Sequence, residues 1–293
     1  MKSKVAVVLS TYNNADSIHI CVNSITSQIY EPILLIIADD GSTDDTVKNL
    51  RHLLKDHENA EVLALEHGER GIARKTAIDR AVERQYDFLF FIDSDMHLAP
   101  GLISDCLKYL EENCEVGALV IPETPYSSFR NFATRVKIFE RKILNNAGSE
   151  IDEHSIEAAR FWRKEAYNQS GGIDSNQISF EETQPTIRYL SSKGIIKRIE
   201  KTTLHHDEKY VTFKNLFDKK RYYFGAMEKT ISSEKQGLKS ALKRWYFFRP
   251  VLYRPSNLKK YFRHPILASG MFYMYIALTF IGSKALFVKL RKK

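Results

Sequence analysis

The sequence predicts a doubly wound α/β fold built on a mostly parallel sheet, and three observations predict it. Short apolar runs alternate with helix-spaced segments through residues 1–110. The runs Val5–Leu9, Ile33–Ala38 and Phe88–Ile92 are apolar without polar alternation, as expected for strands buried on both faces. Each run ends in hydroxyl, amide or carboxylate side chains. Such alternation implies βαβ units, whose right-handed crossovers deliver the strand exits to one edge.

Taken in order, Lys4–Ser10 reads as a strand by its Val and Leu content, and Asp16 opens a helix. Its apolar positions Ile18, Cys21, Val22, Ile25 and Ile29 keep helical spacing. Ile33–Ala38 is the second strand, Thr46–Leu54 the second helix and Glu61–Leu65 the third strand. Gly71–Arg84 is the third helix, and Phe88–Ile92 the fourth strand. The loops Ser10–Asn14, Asp39–Asp44 and Asp93–Asp95 then share a cleft at the edge where open α/β sheets bind ligands. Beyond Pro122 the pattern weakens. Tyr126–Asn145 is basic, aromatic and helix-like, Asn146–His154 is a polar loop, and Glu181–Ser192 is a helix.

At 293 residues the chain can bury the core of one large domain or two small ones. The net charge of +8 is unevenly spread. Residues 209–293 hold 20 Lys and Arg against 3 Asp and Glu, whereas residues 1–208 hold 24 against 33. An acidic body with a basic tail does not suit a uniform nucleic-acid-binding surface, and no nucleic-acid partner is expected. It suits a segment meeting an anionic surface. Cys21, Cys106 and Cys114 have no metal-ligand spacing, and buried thiols in a reducing compartment are expected. Val5–Leu9 is too short for a signal-peptide core, so the body is expected in the cytoplasm.

The pair Asp93 and Asp95 carries the chemistry. In a regular strand, positions i and i+2 face the same side, so both carboxylates can converge on one cation. Mg²⁺ takes one or two carboxylates and completes its shell with water and substrate phosphates. An acidic solvated turn would read the same way in isolation; the other strand exits tip the balance. Ser10-Thr11-Tyr12-Asn13-Asn14 offers hydroxyl and amide groups to a base or ribose, and a carboxylate of Asp39-Asp40-Gly41-Ser42-Thr43-Asp44 can accept a base N–H or ribose hydroxyls. Gly41 lets the backbone turn close to a ligand, and Gly68–Arg74 aims Arg74 at a base or phosphate.

These motifs resemble the inverting family 2 glycosyltransferases of the GT-A fold, over roughly residues 4–210. Val7-Val8-Leu9-Ser10-Thr11-Tyr12-Asn13 is similar to the family's opening strand and loop, and Ala38-Asp39-Asp40-Gly41-Ser42-Thr43-Asp44 to its acidic nucleotide loop. Gly71-Ile72-Ala73-Arg74 resembles its Gly-x-x-x-Ala-Arg-Asn segment, with Lys75 in place of Asn. Asp93-Ser94-Asp95 followed by Pro100 resembles its Asp-x-Asp element. The resemblance implies a metal-dependent hexosyltransferase. It implies nucleotide-sugar binding by Thr11, Tyr12, Asn13, Asp40, Arg74, Asp93 and Ser94. A Mn²⁺ or Mg²⁺ ion would sit on Asp95, with Asp93 and His206 (or His205) assisting and Asp207 or Glu208 orienting the histidine. Gly171-Gly172-Ile173-Asp174 is similar to the family's Gly-Gly-Phe-Asp segment. Phe180-Glu181-Glu182-Thr183 then implies Glu182, or its neighbour Glu181, as the base that takes the acceptor hydroxyl's proton.

The implied organisation is a nucleotide-sugar half (1–120), an acceptor half (121–210) and a helical tail (211–293). Within the tail, 265–283 is 19 residues without a charged side chain. At about 1.5 Å per residue that approaches the ~30 Å bilayer core. Trp245-Tyr246-Phe247-Phe248-Arg249 and Lys259–Arg263 interleave aromatic and basic residues, which suits a headgroup interface. Eight basic residues in 239–263 and five in 284–293 flank the stretch, so a simple span exposes one basic flank outside. An in-plane or re-entrant helix avoids that conflict, and both arrangements stay open. A lipid-linked acceptor at the cytoplasmic face of the cell membrane follows as the expectation. Ala241 stands where processive relatives carry Gln in Gln-x-x-Arg-Trp, which argues against a processive synthase.

Three rivals fare worse. A sugar-nucleotidyltransferase needs a glycine-rich, basic loop after the first strand, and Ser10–Asp16 contains no Gly, Lys or Arg. A dehydrogenase needs Gly-x-Gly-x-x-Gly after a strand. A non-catalytic binding module leaves Asp93, Asp95 and Glu182 without a role.

Overall fold

A computed structural model describes residues 2–68, 70–145, 151, 157–174, 183–225 and 246–290. The chain forms two compact units, the first from Met1–Thr124, Gly148–Ser175 and Phe180–His206. Segment 121–210 contributes to both.

The first unit is built on a seven-stranded sheet of order β3-β2-β1-β4-β8-β6-β9. Its strands are β1 (Val5–Thr11), β2 (Ile33–Asp39), β3 (Ala60–Ala64), β4 (Phe88–Asp93), β6 (Val116–Val120), β8 (Arg160–Arg163) and β9 (Ile195–Arg198). β1 pairs parallel with β2 and β4, β2 with β3, and β6 with β9; only β8 runs antiparallel. The expected mostly parallel α/β fold is therefore present.

Strand period and helix spacing explain the two layers over this sheet. Val5, Val7, Leu9, Phe90 and Ile92 point to one face, where α1 (Ile18–Thr26), α2 (Thr46–Leu53) and α4 (Leu102–Glu112) bury Ile18, Val22, Leu50 and Leu107. Ala6, Val8, Leu89 and Phe91 point to the other, where α3 (Arg70–Glu83), α6 (Lys164–Gln169) and α7 (Thr183–Ser191) bury Ala73, Ala77, Tyr167 and Tyr189. Tyr189 is seated between two glycines. A Cβ at Gly117 would lie 2.1 Å from its hydroxyl, and one at Gly194 2.3 Å from its ring.

Three details differ from the sequence reading. The first helix starts at Ile18 and ends at Thr26, which leaves Ile29 exposed beyond it. Cys21 and Cys106 are buried, but Cys114 falls past the end of α4 and is exposed. A second, three-stranded sheet, β5 (Met96–Leu98), β10 (Leu204–Asp207) and β7 (Glu123–Tyr126), has no signature in the sequence. Strands of three or four residues are too short to show alternation. His205 and His206 consequently lie within a strand rather than after one.

The second unit comprises Pro125–Ala147, Asn176–Ser179 and Asp207–Lys293. Its helices are α5 (Phe132–Leu144), α8 (Phe213–Gly225), Pro255–Arg263 and Pro265–Leu290. The last packs against α5 through Gly270, where a Cβ would sit 2.6 Å from Val136 Cγ2. Its Tyr273 ring meets Phe213 of α8 at 5.5 Å. Asn257 donates to the backbone carbonyls of Ile143 (2.9 Å) and Val251 (2.7 Å), fixing the shorter helix against α5. Glu140 is buried and accepts from Lys137 at 2.5 Å. The motif Arg244-Trp245 lies outside the described residues.

Candidate active site

Parallel pairing decides which groups meet at the sheet edge. Thr11 of β1 stands opposite Asp39 of β2, and Ser10 opposite Asp93 of β4, so the three strand exits form one row. Asp39 is consumed structurally: its carboxylate accepts from the Ser42 amide (2.8 Å) and hydroxyl and closes the loop. Asp40 accepts from the Gly68 amide at 3.0 Å, which ties this loop to the entry of α3. Gly41 has φ +73°, and a Cβ there would lie 2.5 Å from the His67 amide nitrogen, so a side chain is excluded on both counts. Thr11 Oγ1 is buried without a hydrogen-bond partner in the structure. Asn13 takes a left-handed backbone (φ 46°) and accepts from the Thr43 amide at 2.9 Å.

Tyr12 is largely exposed and its ring stacks on His67 at 4.4 Å. His67 Nδ1 lies 2.9 Å from the Asp40 carbonyl oxygen. Sequence reasoning missed His67. It follows a strand of no special composition, and its partners lie 27 or more residues away.

A second cluster gathers around the Asp-x-Asp turn. Arg74 is fully buried on α3, donates to Asp93 Oδ1 and lies over the Phe91 ring at 5.9 Å. Its neighbour Lys75 instead pairs with Asp79 on the surface. Asn14 donates to the Ser94 carbonyl at 3.2 Å and pins the turn. Asp95 Oδ1 lies 3.5 Å from His206 Nε2. His206 Nδ1 lies 2.9 Å from Glu123 Oε2, while Glu123 Oε1 accepts from the Ala158 amide at 2.8 Å.

Alternation along β10 explains which histidine faces the turn. His206 is buried towards Asp95, whereas His205 stacks on His97 at 4.8 Å. The second carboxylate on His206 is Glu123, not the anticipated Asp207 or Glu208. Asp207 accepts from the Lys209 amide at 2.9 Å, and Glu208 from Arg141 at 2.8 Å. Burial alone would disfavour a charged His206 ring, but Asp95 and Glu123 outweigh it and push its pKa up to about 10. No signal in the sequence singled out Glu123, which is 83 residues from His206.

Asp95 and His206, 3.5 Å apart, present the oxygen and nitrogen donor types that a hard or borderline cation takes. With Glu123 accepting from Nδ1–H, Nε2 faces Asp95; it holds a proton while the ring is charged and becomes a lone-pair donor when that proton leaves. Among the described residues no set of three or more His, Cys, Asp or Glu is arranged as a closed cage. The pair therefore fits a cation that draws its remaining ligands from water and substrate, and does not fit an all-protein structural site.

Gly171 and Gly172 occupy left-handed backbone (φ 75° and 63°), and Arg188 of α7 donates to the Ser170 and Gly172 carbonyls. This anchors Ile173-Asp174 on the first unit. Glu181 and Glu182, the expected base, lie outside the described residues.

Comparison with known proteins bears on this geometry. A sequence profile of the family described as "Glycosyl transferase family 2" matches residues 6–171. The Escherichia coli UDP-Glc:alpha-D-GlcNAc-diphosphoundecaprenol beta-1,3-glucosyltransferase WfaP is 32% identical over 36% of this chain and 41% of its own. The Bacillus spizizenii poly(ribitol-phosphate) beta-glucosyltransferase is 29% identical over 38% of this chain and 18% of its own. The chain thus spans well under half the length of these curated relatives. Among solved structures, the Pyrobaculum calidifontis mannosyltransferase PcManGT, in complex with GDP-Man and Mn²⁺, superposes with a TM-score of 0.61 at 14% identity, covering 96% of this chain and 87% of that one. Staphylococcus aureus TarS 1–349 in complex with UDP gives 0.58 at 16% identity, covering 86% and 72%. At such identities these two establish the fold.

Proposed function

The chain belongs to glycosyl transferase family 2, and from that membership we propose an inverting, metal-dependent enzyme that moves a sugar from a UDP- or GDP-type donor to an acceptor hydroxyl or phosphate. The acceptor is lipid-linked, in cell-surface glycan or glycolipid synthesis at the cytoplasmic face of the membrane. Relatives named for diphosphoundecaprenol-linked substrates support that choice.

One observation carries the reading: Asp95, His206 and Glu123 are aligned beside the row of strand exits that holds Thr11, Asp40 and Asp93. Tyr12 and His67 offer stacked rings to the base, Asp40 and Asn13 orient it, and Thr11 supplies a buried hydroxyl. Arg74 holds Asp93 in place and brings positive charge to the phosphates, and the Ser94 turn sets the spacing of the two aspartates. Asp95 and His206 would hold Mn²⁺ or Mg²⁺, with Asp93 assisting. When bound, the cation offsets the negative charge that grows on the diphosphate leaving group. Glu182, or Glu181, takes the acceptor proton as the new bond forms on the opposite face.

Calorimetric binding of UDP and GDP, with Mn²⁺ and with EDTA, tests this on the wild type and Asp95→Ala. Metal-dependent binding that disappears in Asp95→Ala is the expected result. Nucleotide binding without turnover of any donor would favour a degenerate, non-catalytic fold, and no metal-dependent binding of either nucleotide would overturn the reading.

A further inference from the structure

We infer that the Pro265–Leu290 helix lies in the plane of an anionic lipid surface instead of crossing the bilayer, with Ile266, Ile276 and Phe280 turned into the lipid. Length alone does not decide this: Pro265–Lys284 is 20 residues at a mean hydropathy of 1.6, enough to span.

The helix has two different faces. Ala268, Met271, Met274, Tyr275 and Leu278 are buried inside the unit. Gly270 lets the backbone close on Val136 and Phe132 of α5, and Tyr275 is buried against Tyr246. The opposite face is open: Ile266 is 73% exposed, Ile276 50% and Phe280 73%, with the half-exposed Tyr273 at its edge resting on Phe213 of α8. With Ser269 they recur at intervals of three and four, a single stripe down one side.

The partners of the buried face exclude a span. α5 carries Arg135, Lys137, Glu140, Arg141 and Lys142, and α8 carries Lys214, Asp218, Lys219, Lys220 and Arg221. Helices laced with charge do not enter hydrocarbon. A helix buried along Ala268–Leu278 and held against them at Gly270 and Tyr273 stays at the level of the headgroups, where an amphipathic helix inserts one face to a depth of about 5–10 Å.

Charge selects the occupant. Exposed Lys259 and Arg263 flank one end, around the 86% exposed Phe262, and exposed Lys284 flanks the other. Residues 209–293 carry 20 basic against 3 acidic groups. A second copy of the chain would bring the same basic groups against themselves, whereas an anionic leaflet complements them. The inference stands on these observations whether or not sugar transfer is established.

Flotation of the full chain with vesicles of phosphatidylcholine, alone or with one-third phosphatidylglycerol, tests it. Binding to the anionic vesicles is expected, with full release by alkaline carbonate. The combined substitution I266S/I276S/F280S should weaken that binding about tenfold or more, and K259E/R263E should remove the preference for phosphatidylglycerol. Because all five side chains are exposed, an unchanged melting curve verifies that each variant folds. Resistance to carbonate would show a span and overturn the inference. So would undiminished binding of the triple variant, or a lipid-free dimer that the triple variant dissolves.

Discussion

Glu123 is the residue on which the candidate site most depends without touching its cation position. It holds His206 at 2.9 Å and is itself held by the Ala158 amide. Glu123→Gln removes the carboxylate that fixes the ring. We expect Mn²⁺-dependent UDP or GDP affinity to fall roughly 10- to 100-fold while binding in EDTA is unchanged, as read by calorimetry. Arg74→Ala leaves Asp93 at the sheet edge without its buried cation, and we expect a loss of about 3 kcal/mol in urea denaturation. At this scale the sequence was informative wherever a residue ends or follows a strand: Thr11, Asp93 and Asp95 could be placed at the edge by position, whereas the choice of Asp40 over Asp39 came from the family resemblance. It was silent on Glu123 and His67, whose importance comes from neighbours far along the chain.

Elements explain which parts were legible. β1, β2 and β4 are buried on both faces and read as unbroken apolar runs, so their order and their exits could be derived. β5, β7 and β10 are three or four residues each, and the pairing His206–Met96 that aims the histidine left no pattern to read. Close packing between elements is similarly hidden in single glycines. Gly117→Ala pushes a methyl into the Tyr189 hydroxyl, and we expect about 1–3 kcal/mol of destabilisation by thermal or urea unfolding. In α5, burial works against an ionised Glu140, yet Lys137 and the nearby Arg249 and Arg141 hold its carboxyl down to about 2. A carboxyl below its ordinary 4.5 adds stability above that pH and loses it as the pH falls towards 2. Denaturation compared at pH 7 and pH 3 should show a loss of about 2 kcal/mol from this group, absent in Glu140→Gln.

Across the whole molecule, charge is the property the sequence revealed most directly, since the acidic 1–208 and basic 209–293 can be counted without any coordinates. What it left open was geometry: whether the apolar stretch spans or lies flat depends on α5 and α8 packing against it. Raising salt until the Debye length shrinks from ~10 Å to ~3 Å should release the chain from phosphatidylglycerol vesicles, read by sedimentation, because the attraction is between exposed groups. The row of strand exits has one more consequence, for the order of assembly. Ser10 pairs with Asp93, and His206 joins Asp95 from β10. A nascent chain therefore holds no complete Asp95–His206 pair, the proposed cation site, until residue 206 has been made, however early β1 and β2 have docked. Such distant closures slow folding, which would make the emergence of the proposed metal-dependent nucleotide affinity a late clock for refolding, lagging the return of helical signal.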